Sequence, residues 1–227
     1  GEGDWLFLGD FFGKGISESK GIEVFTSSEL KACVKNISKY NKSLQKAGSK
    51  FYFSVAPEKV TVYENHLPVI NAPGPTKLEQ LKLALEKKGI NFIDLKTDFQ
   101  ALPGVRLYHK TDSHWNEVGA FLGYVTLMKR IKMDFPEVTI LNIDDFKLDT
   151  IINQRGDLAQ MLQMNTFFAT IKLLPVHKNF VFKLAKKLPV PKNYALDGVY
   201  YEHRFVCVGK PLKILVFGDS FVIDLIP

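Results

Sequence analysis

The sequence predicts an α/β fold in which helices cover a parallel sheet. Strand-like and helix-like segments alternate from the amino terminus to about residue 132, the pattern expected of βαβ units. The run 213–217 is apolar throughout, which is typical of a central strand covered on both faces. A length of 227 residues, with 46% hydrophobic and 24% charged residues, suits one globular domain over residues 1–227.

Each element is predicted from periodicity and from its terminal signals. Apolar residues at helical spacing predict the helices, and glycines such as Gly48 and Gly89 predict where two of them end. Thr76 and Glu79 form a capping-box pattern. The predicted strands cover 3–9, 50–59, 90–95, 106–110 and 213–217, and the predicted helices cover 28–46, 76–88 and 117–132.

The segment between the last predicted long helix and the final strand has a different character. Residues 138–146 predict a short strand, and residues 156–164 predict a short helix. Residues 165–210 contain two strand-like stretches separated by "PVPKN", so we expect a β-rich insertion there.

The charge and the cysteines limit the possible partners. The net charge is +6, but the lysines are scattered, which argues against a nucleic-acid-binding protein. A mildly positive surface favours an acidic polysaccharide or an anionic membrane surface by long-range attraction. Cys33 and Cys207 lack a zinc-site spacing and are interpreted as buried free thiols, with a single disulfide as the alternative.

The sequence contains no stretch of about 20 apolar residues that would span a membrane, and no secretory leader. The first residue, Gly1, is not a natural start. The sequence therefore leaves open whether a leader or an anchor precedes Gly1.

Ser220 is the candidate nucleophile. It follows the apolar run 213–217 in the sequence "GDS", and ligands of open α/β sheets bind beyond the carboxyl ends of the strands. Gly218 permits a tight turn, and the backbone amide of Ser220 would face a developing oxyanion. The alternative is that Asp219 and Ser220 only cap the following helix.

His114 is the candidate base, since it follows Asp112 by two residues in "TDSHW". A serine nucleophile needs a base, and the base needs an orienting acid, which Asp112 can supply. A polar turn before a helix is the alternative for this pair, and a metal site with His109 is a less favoured one. The other histidines lack a paired acid and are expected at the surface or at an interface: His66, His177 and His203.

Five segments together carry a resemblance to a known family. They are "GDWLFLG", "VAPEKVTVYENHLP", "YHKTDSHWNEVGA", "RGDLAQML" and "VFGDSF", in this order. This set resembles the SGNH hydrolase-like domain of the alginate O-acetyltransferase family, the AlgX and AlgJ type. The resemblance implies a three-layer α/β/α, flavodoxin-like fold. A domain of this family continues through a further helix and strand after the serine, whereas seven residues follow Ser220, so the resemblance also implies that the carboxyl end is incomplete.

The resemblance also implies a catalytic triad, with Ser220 as the nucleophile and His114 and Asp112 as its partners. The order Asp, His, Ser differs from the order in ordinary SGNH esterases, but geometry and not chain order defines a triad. No clear G-x-N-D block supplies the usual oxyanion asparagine. The backbone amide of Ser220, and that of Gly156 in "RGDL", are the expected oxyanion donors; no cofactor and no metal are expected.

The function implied by the resemblance is O-acetyl transfer through a serine acyl-enzyme onto hydroxyls of an exported polysaccharide. The positive net charge of the chain favours an anionic polysaccharide as the acceptor. A membrane-bound O-acyltransferase would supply the acetyl group, and the location would be periplasmic or otherwise extracytoplasmic. An SGNH-type carbohydrate O-acetyl esterase and a non-catalytic polysaccharide-binding member of an export complex stay open as alternatives. The triad is common to the transferase and the esterase, so the sequence does not separate them.

Overall fold

The structure is a computed structural model. It describes residues 1–152, 156–165, 169–176, 185–187, 205–207 and 212–225. The α-helices are α1 (Gly15–Ser19), α2 (Ser27–Lys46), α3 (Lys59–Val62), α4 (Lys77–Glu86), α5 (Leu95–Gln100), α6 (Glu117–Asp134) and α7 (Asp157–Met161). The strands are β1 (Tyr52–Ser54), β2 (Asn91–Ile93), β3 (Phe146–Ile152), β4 (Ala169–Pro175), β5 (Ala185–Lys187) and β6 (Phe205–Cys207).

The predicted fold class, an α/β fold with a parallel sheet, is confirmed. Strands β1 and β2 pair in parallel, with Tyr52 opposite Asn91 and Ser54 opposite Ile93. Helices α2 and α4 pack against this pair through one apolar cluster: Val34, Ile37, Leu81, Leu85 and Ile90. The predicted capping box of Thr76 and Glu79 is confirmed at the start of α4.

A second apolar cluster lies beside the segment that carries Asp112 and His114. Its largest members are almost fully buried aromatic side chains: Phe99, Tyr108 and Trp115. Phe99 stacks on Trp115 with their ring centroids 5.7 Å apart. Each such side chain contributes roughly 2 to 3 kcal/mol by leaving water, so this cluster gives the neighbouring loop a rigid support.

Three predicted strands are not strands in the structure. Segment 3–9 makes one backbone hydrogen bond to segment 106–110, from Leu6 N to the Lys110 carbonyl at 3.0 Å. Segment 106–110 itself contains only an isolated bridge between Tyr108 and Trp115. Buried side chains such as Trp5, 6% exposed, produce the apolar pattern there, because a loop can bury apolar residues without a ladder of hydrogen bonds.

The prediction of a buried central strand at 213–217 is wrong, because this segment is exposed and is not a strand. Phe217 is 86% exposed and Leu215 is 73% exposed, and no strand pairs with this segment among the described residues. An apolar run forms a central strand only where strands exist on both sides of it, which sequence periodicity does not reveal.

The described strands after α6 form antiparallel pairs. Strand β3 pairs with β4, and β5 pairs with β6. The strand expected at 138–146 begins later, because a 3-10 turn at Ile143–Asp145, capped by Asn142, precedes β3. The rest of the insertion expected at 165–210 lies outside the described residues, and the assignment of residues 1–227 to one domain stays a prediction.

Two further expectations concern the cysteines and membrane-spanning segments. Cys33 is a free thiol, as expected, but it is half-buried and not fully buried as the sequence predicted. Within the part of the chain that the structure describes, none of the helices has the length and apolar character needed to cross a bilayer.

Candidate active site

The loop between Tyr108 and α6 carries Asp112 and His114, and Asn116 closes it. The backbone N–H of Asn116 donates to the Leu107 carbonyl at 2.8 Å, and its side-chain amide donates to the Arg106 carbonyl at 2.6 Å. Its side-chain oxygen accepts the Gly119 N–H at 2.9 Å and so caps α6. Asn116, which is 1% exposed, therefore fixes both ends of the loop.

The structure brings together the three side chains that the sequence predicted as a triad. His114 Nδ1 lies 2.8 Å from Asp112 Oδ1, and His114 Nε2 lies 2.7 Å from Ser220 Oγ. A carboxylate only accepts hydrogen bonds, so Nδ1 carries the proton and Nε2 is free to accept the Ser220 hydroxyl. The three groups form one continuous chain of hydrogen bonds.

Asp112 is held as a carboxylate. Burial raises the pKa of its carboxyl, but hydrogen bonds from the His114 ring, the His114 N–H and the Asp157 N–H bring that pKa well below its usual range. Its Oδ1 accepts the His114 N–H at 2.9 Å, and its Oδ2 accepts the Asp157 N–H at 2.9 Å. Asp112 is therefore ionised at neutral pH and fixed in one orientation.

Ser220 is held beside His114 by apolar contacts of the 3-10 helix Ser220–Leu225. The Phe221 ring lies 4.9 Å from the His114 ring and 5.1 Å from the Trp115 ring. Leu225 packs on α6 next to Gly123. Phe221 and Leu225 were not among the site residues predicted from the sequence, although two apolar residues four positions apart are a signal for a packed helical turn.

The capping alternative for "GDS" applies to Asp219. The Asp219 carboxylate accepts the Phe221 N–H at 3.1 Å, and the Asp219 carbonyl accepts the Val222 N–H at 3.1 Å. The Ser220 hydroxyl instead lies at His114 Nε2. Capping and placement of the hydroxyl are thus divided between the two residues.

Lys59 anchors the loop from the opposite side. Its side chain is 3% exposed, and Nζ donates to the carbonyls of His109 at 3.1 Å, Lys110 at 3.2 Å and Asp112 at 2.6 Å. Burial lowers the pKa of Lys59 to about 8, while the nearby carboxylates of Asp112 and Asp157 act in the opposite direction. One ammonium group thus binds three backbone carbonyls within residues 109–112.

Replacing Lys59 by methionine is expected to lower the free energy of unfolding by about 2 kcal/mol, because buried carbonyls lose their donor. The pH dependence gives a second readout. Between about pH 8 and 10.5 the unfolded chain still binds a proton that folded Lys59 has lost, so wild-type stability should rise with pH relative to the variant.

Urea denaturation across this pH range, with exposed Lys39→Met in α2 as the control, measures both effects. If Lys59→Met and the control show the same stability and pH dependence, then Lys59 does not anchor the loop.

Gly156 lies against the backbone of this loop, immediately before α7. A Cβ atom there would lie 2.7 Å from the Asp112 nitrogen and closer still to the Thr111 carbonyl oxygen. The Ala159 N–H also donates to the Thr111 carbonyl at 3.2 Å. Close approach of two backbones accounts for glycine at this position independently of the oxyanion role expected from the sequence.

The remaining histidines differ in position. His109 Nδ1 lies 3.1 Å from Thr170 Oγ1, and no described group of metal-binding side chains includes His109. Asp157 is a third charged residue beside Asp112 and His114, and it was not among the site residues predicted from the sequence. The half-buried His66 ring lies 5.3 Å from the Trp5 ring, whereas His177 and His203 lie outside the described residues.

Solved structures with a similar fold include PatB1 of Bacillus cereus with a sulfonyl adduct. That match has 22% sequence identity and a TM-score of 0.52, and it covers 66% of this chain and 50% of the PatB1 chain. The O-acetyltransferase domain of Pseudomonas putida AlgJ matches with 19% identity and a TM-score of 0.49, covering 78% of this chain and 64% of that one. The chain thus spans about half the length of PatB1.

Sequence comparison gives the family. No curated protein matches the chain. The family described as "SGNH hydrolase-like domain, acetyltransferase AlgX" matches residues 1–187 of the 227, which include Asp112, His114 and Gly156. The chain therefore belongs to the AlgX family of SGNH hydrolase-like acetyltransferase domains.

Proposed function

We propose that this protein is a serine-dependent O-acetyltransferase that modifies hydroxyls of a polysaccharide. The observation that carries the proposal is the continuous hydrogen-bonded chain Asp112–His114–Ser220, with contacts of 2.8 Å and 2.7 Å. A hydroxyl bonded to an imidazole, which a carboxylate orients, is the arrangement that nucleophilic acyl transfer requires. Membership of an acetyltransferase family supports acetyl as the acyl group that is transferred.

The first half of the reaction forms an acetyl-enzyme. His114 Nε2 takes the Ser220 hydroxyl proton while Oγ bonds to the acetyl carbonyl carbon of the donor. The tetrahedral oxyanion then collapses, and the donor oxygen leaves with the proton that His114 returns. The ionised Asp112 stabilises the imidazolium that exists between these two steps.

The second half reverses the roles. His114 takes a proton from a sugar hydroxyl, whose oxygen attacks the acetyl carbon, and Ser220 Oγ leaves and regains a proton from His114. We assign stabilisation of both oxyanions to the backbone amide of Ser220, with the Gly156 amide as a second candidate donor. Neither a metal nor a cofactor takes part in this sequence of steps.

The acceptor is proposed to be an exported polysaccharide, and an anionic one is favoured by the net charge of +6. By extension from the family, a membrane-bound O-acyltransferase would supply the acetyl group, and the protein would act in the periplasm or elsewhere outside the cytoplasm.

Two alternatives remain distinct from this proposal. A carbohydrate O-acetyl esterase would use the same three residues but deliver the acetyl group to water. A non-catalytic polysaccharide-binding protein would not acetylate Ser220 at all. The fate of the acetyl group therefore separates all three functions.

The test uses 4-nitrophenyl acetate as the donor, with uronic-acid oligomers or neutral oligomers as acceptors. Mass spectrometry should detect acetyl-Ser220 and then acetylated oligomer, with more product from the anionic acceptor at low ionic strength. Acetate release that no acceptor diverts would indicate an esterase, and absence of acetyl-Ser220 would contradict catalysis by this serine. Equal yields from neutral acceptors would contradict the charge preference alone.

A further inference from the structure

Asp157 places a second carboxylate beside the His114 ring. Asp157 Oδ2 lies 3.8 Å from His114 Nδ1, the nitrogen that already contacts Asp112. Ser113 lies between the two, because its hydroxyl donates to Asp157 Oδ2 and lies 3.3 Å from His114 Nδ1. The Nδ1 edge of the imidazole thus faces two carboxylates, one directly and one through a hydroxyl.

The backbone of Asp157 contributes as well. Its N–H donates to Asp112 Oδ2 at 2.9 Å, and its Oδ1 accepts the Ser113 N–H at 2.7 Å. Asp112 and Ser113, the two residues before His114, are therefore tied to the first residue of α7, Asp112 through the main chain and Ser113 through the side chain. Carboxylate groups hydrogen-bonded to backbone N–H groups are strong, directional restraints.

We propose that Asp157 is a positioning residue for the base His114 and, through Ser113, a second source of negative charge that stabilises its imidazolium. The inference rests on the proposed function and adds a fourth residue to the predicted triad. A negative charge about 4 Å from a developing positive charge stabilises it even when partly solvated, since their interaction exceeds the thermal energy. Asp157 would therefore act mainly during proton transfer and not in binding the donor.

Other ionisable groups also affect the pKa of the His114 ring, and they stay in place when Asp157 alone is replaced. Besides Asp157 and Asp112, the ionisable groups that interact with the His114 ring or with Asp112 include Glu58, His109 and Lys59, and Asp219 adjoins Ser220 in the chain. The comparison of wild type with a single variant cancels these contributions.

The test replaces Asp157 with asparagine, which keeps an oxygen to accept the Ser113 N–H but removes the charge. We expect kcat for acetyl-ester turnover to fall about tenfold with KM unchanged. We expect the acidic limb of the kcat/KM profile to move to lower pH by about one pH unit, because the imidazole loses a neighbouring negative charge. Ser113→Ala, which removes only the bridging hydroxyl, should show a smaller loss in kcat.

Exposed Asp144→Asn, in the turn before β3, is the matched control and should leave the profile unchanged. An NMR titration of the His114 ring in wild type and Asp157→Asn gives a readout without turnover, so it stands even if the wild type transfers no acetyl group. A titration midpoint and a kcat that both stay at wild-type values would overturn the inference. If Asp157→Asn does not fold, an unchanged kcat in Ser113→Ala would overturn it instead.

Discussion

Ser220→Ala is expected to lower kcat/KM for acetyl-ester turnover by about a thousandfold or more, because the proposed acyl-enzyme forms on the Ser220 hydroxyl oxygen. The hydroxyl contributes little to folding, since Ser220 is exposed and its hydroxyl contacts only the His114 ring. The free energy of unfolding should therefore change by less than about 0.5 kcal/mol. Steady-state kinetics and urea denaturation of the same preparation measure both quantities.

Ser43→Ala, at an exposed position of α2, is the matched control and should keep full activity. Retained turnover in Ser220→Ala would assign the chemistry to another nucleophile. A large loss of stability without a specific loss of kcat would instead favour a role for Ser220 in capping the turn that follows it.

Gly156→Ala is the second substitution for which we expect a large effect. The new methyl group would lie 2.7 Å from the Asp112 nitrogen and closer to the Thr111 carbonyl, and these are backbone atoms that cannot rotate away. The backbone of Thr111 and Asp112 must move, which weakens the hydrogen bond from Asp157 N–H to Asp112 Oδ2. We expect kcat/KM to fall about a hundredfold, as misplacement of a catalytic group by about 1 Å can cause.

The same substitution should lower the free energy of unfolding by about 1 to 3 kcal/mol, the usual effect of forcing a methyl group into a packed site. The backbone angle φ of Gly156 is −66°, so alanine would be tolerated there in open space. Gly9→Ala is the control, because Gly9 has a similar φ of −74° and no atom within 4 Å of a new Cβ. Equal activity and stability in both variants would show that the loop accommodates the methyl group.

The sequence by itself determined the residue types of the site and most of the helices. Ser220 was identifiable as a candidate nucleophile because "GDS" follows an apolar run, and His114 was identifiable as a candidate base because an aspartate precedes it by two residues. The helix predicted at 28–46 is Ser27–Lys46 in the structure, and the one predicted at 117–132 is Glu117–Asp134. Helices were predictable because their hydrogen bonds and caps join residues a few positions apart, so the evidence for them is local.

Only the tertiary structure decided which residues support the site and which apolar runs become strands. Lys59 lies 53 residues from its partner Asp112, and Asp157 lies 44 residues from Ser113, so neither contact has a periodic signal in the sequence. The apolar runs at 3–9, 106–110 and 213–217 predicted strands equally well, yet none of them is a strand among the described residues. Strand pairing and burial of polar anchors depend on partners that are distant along the chain, and apolar character alone does not specify those partners.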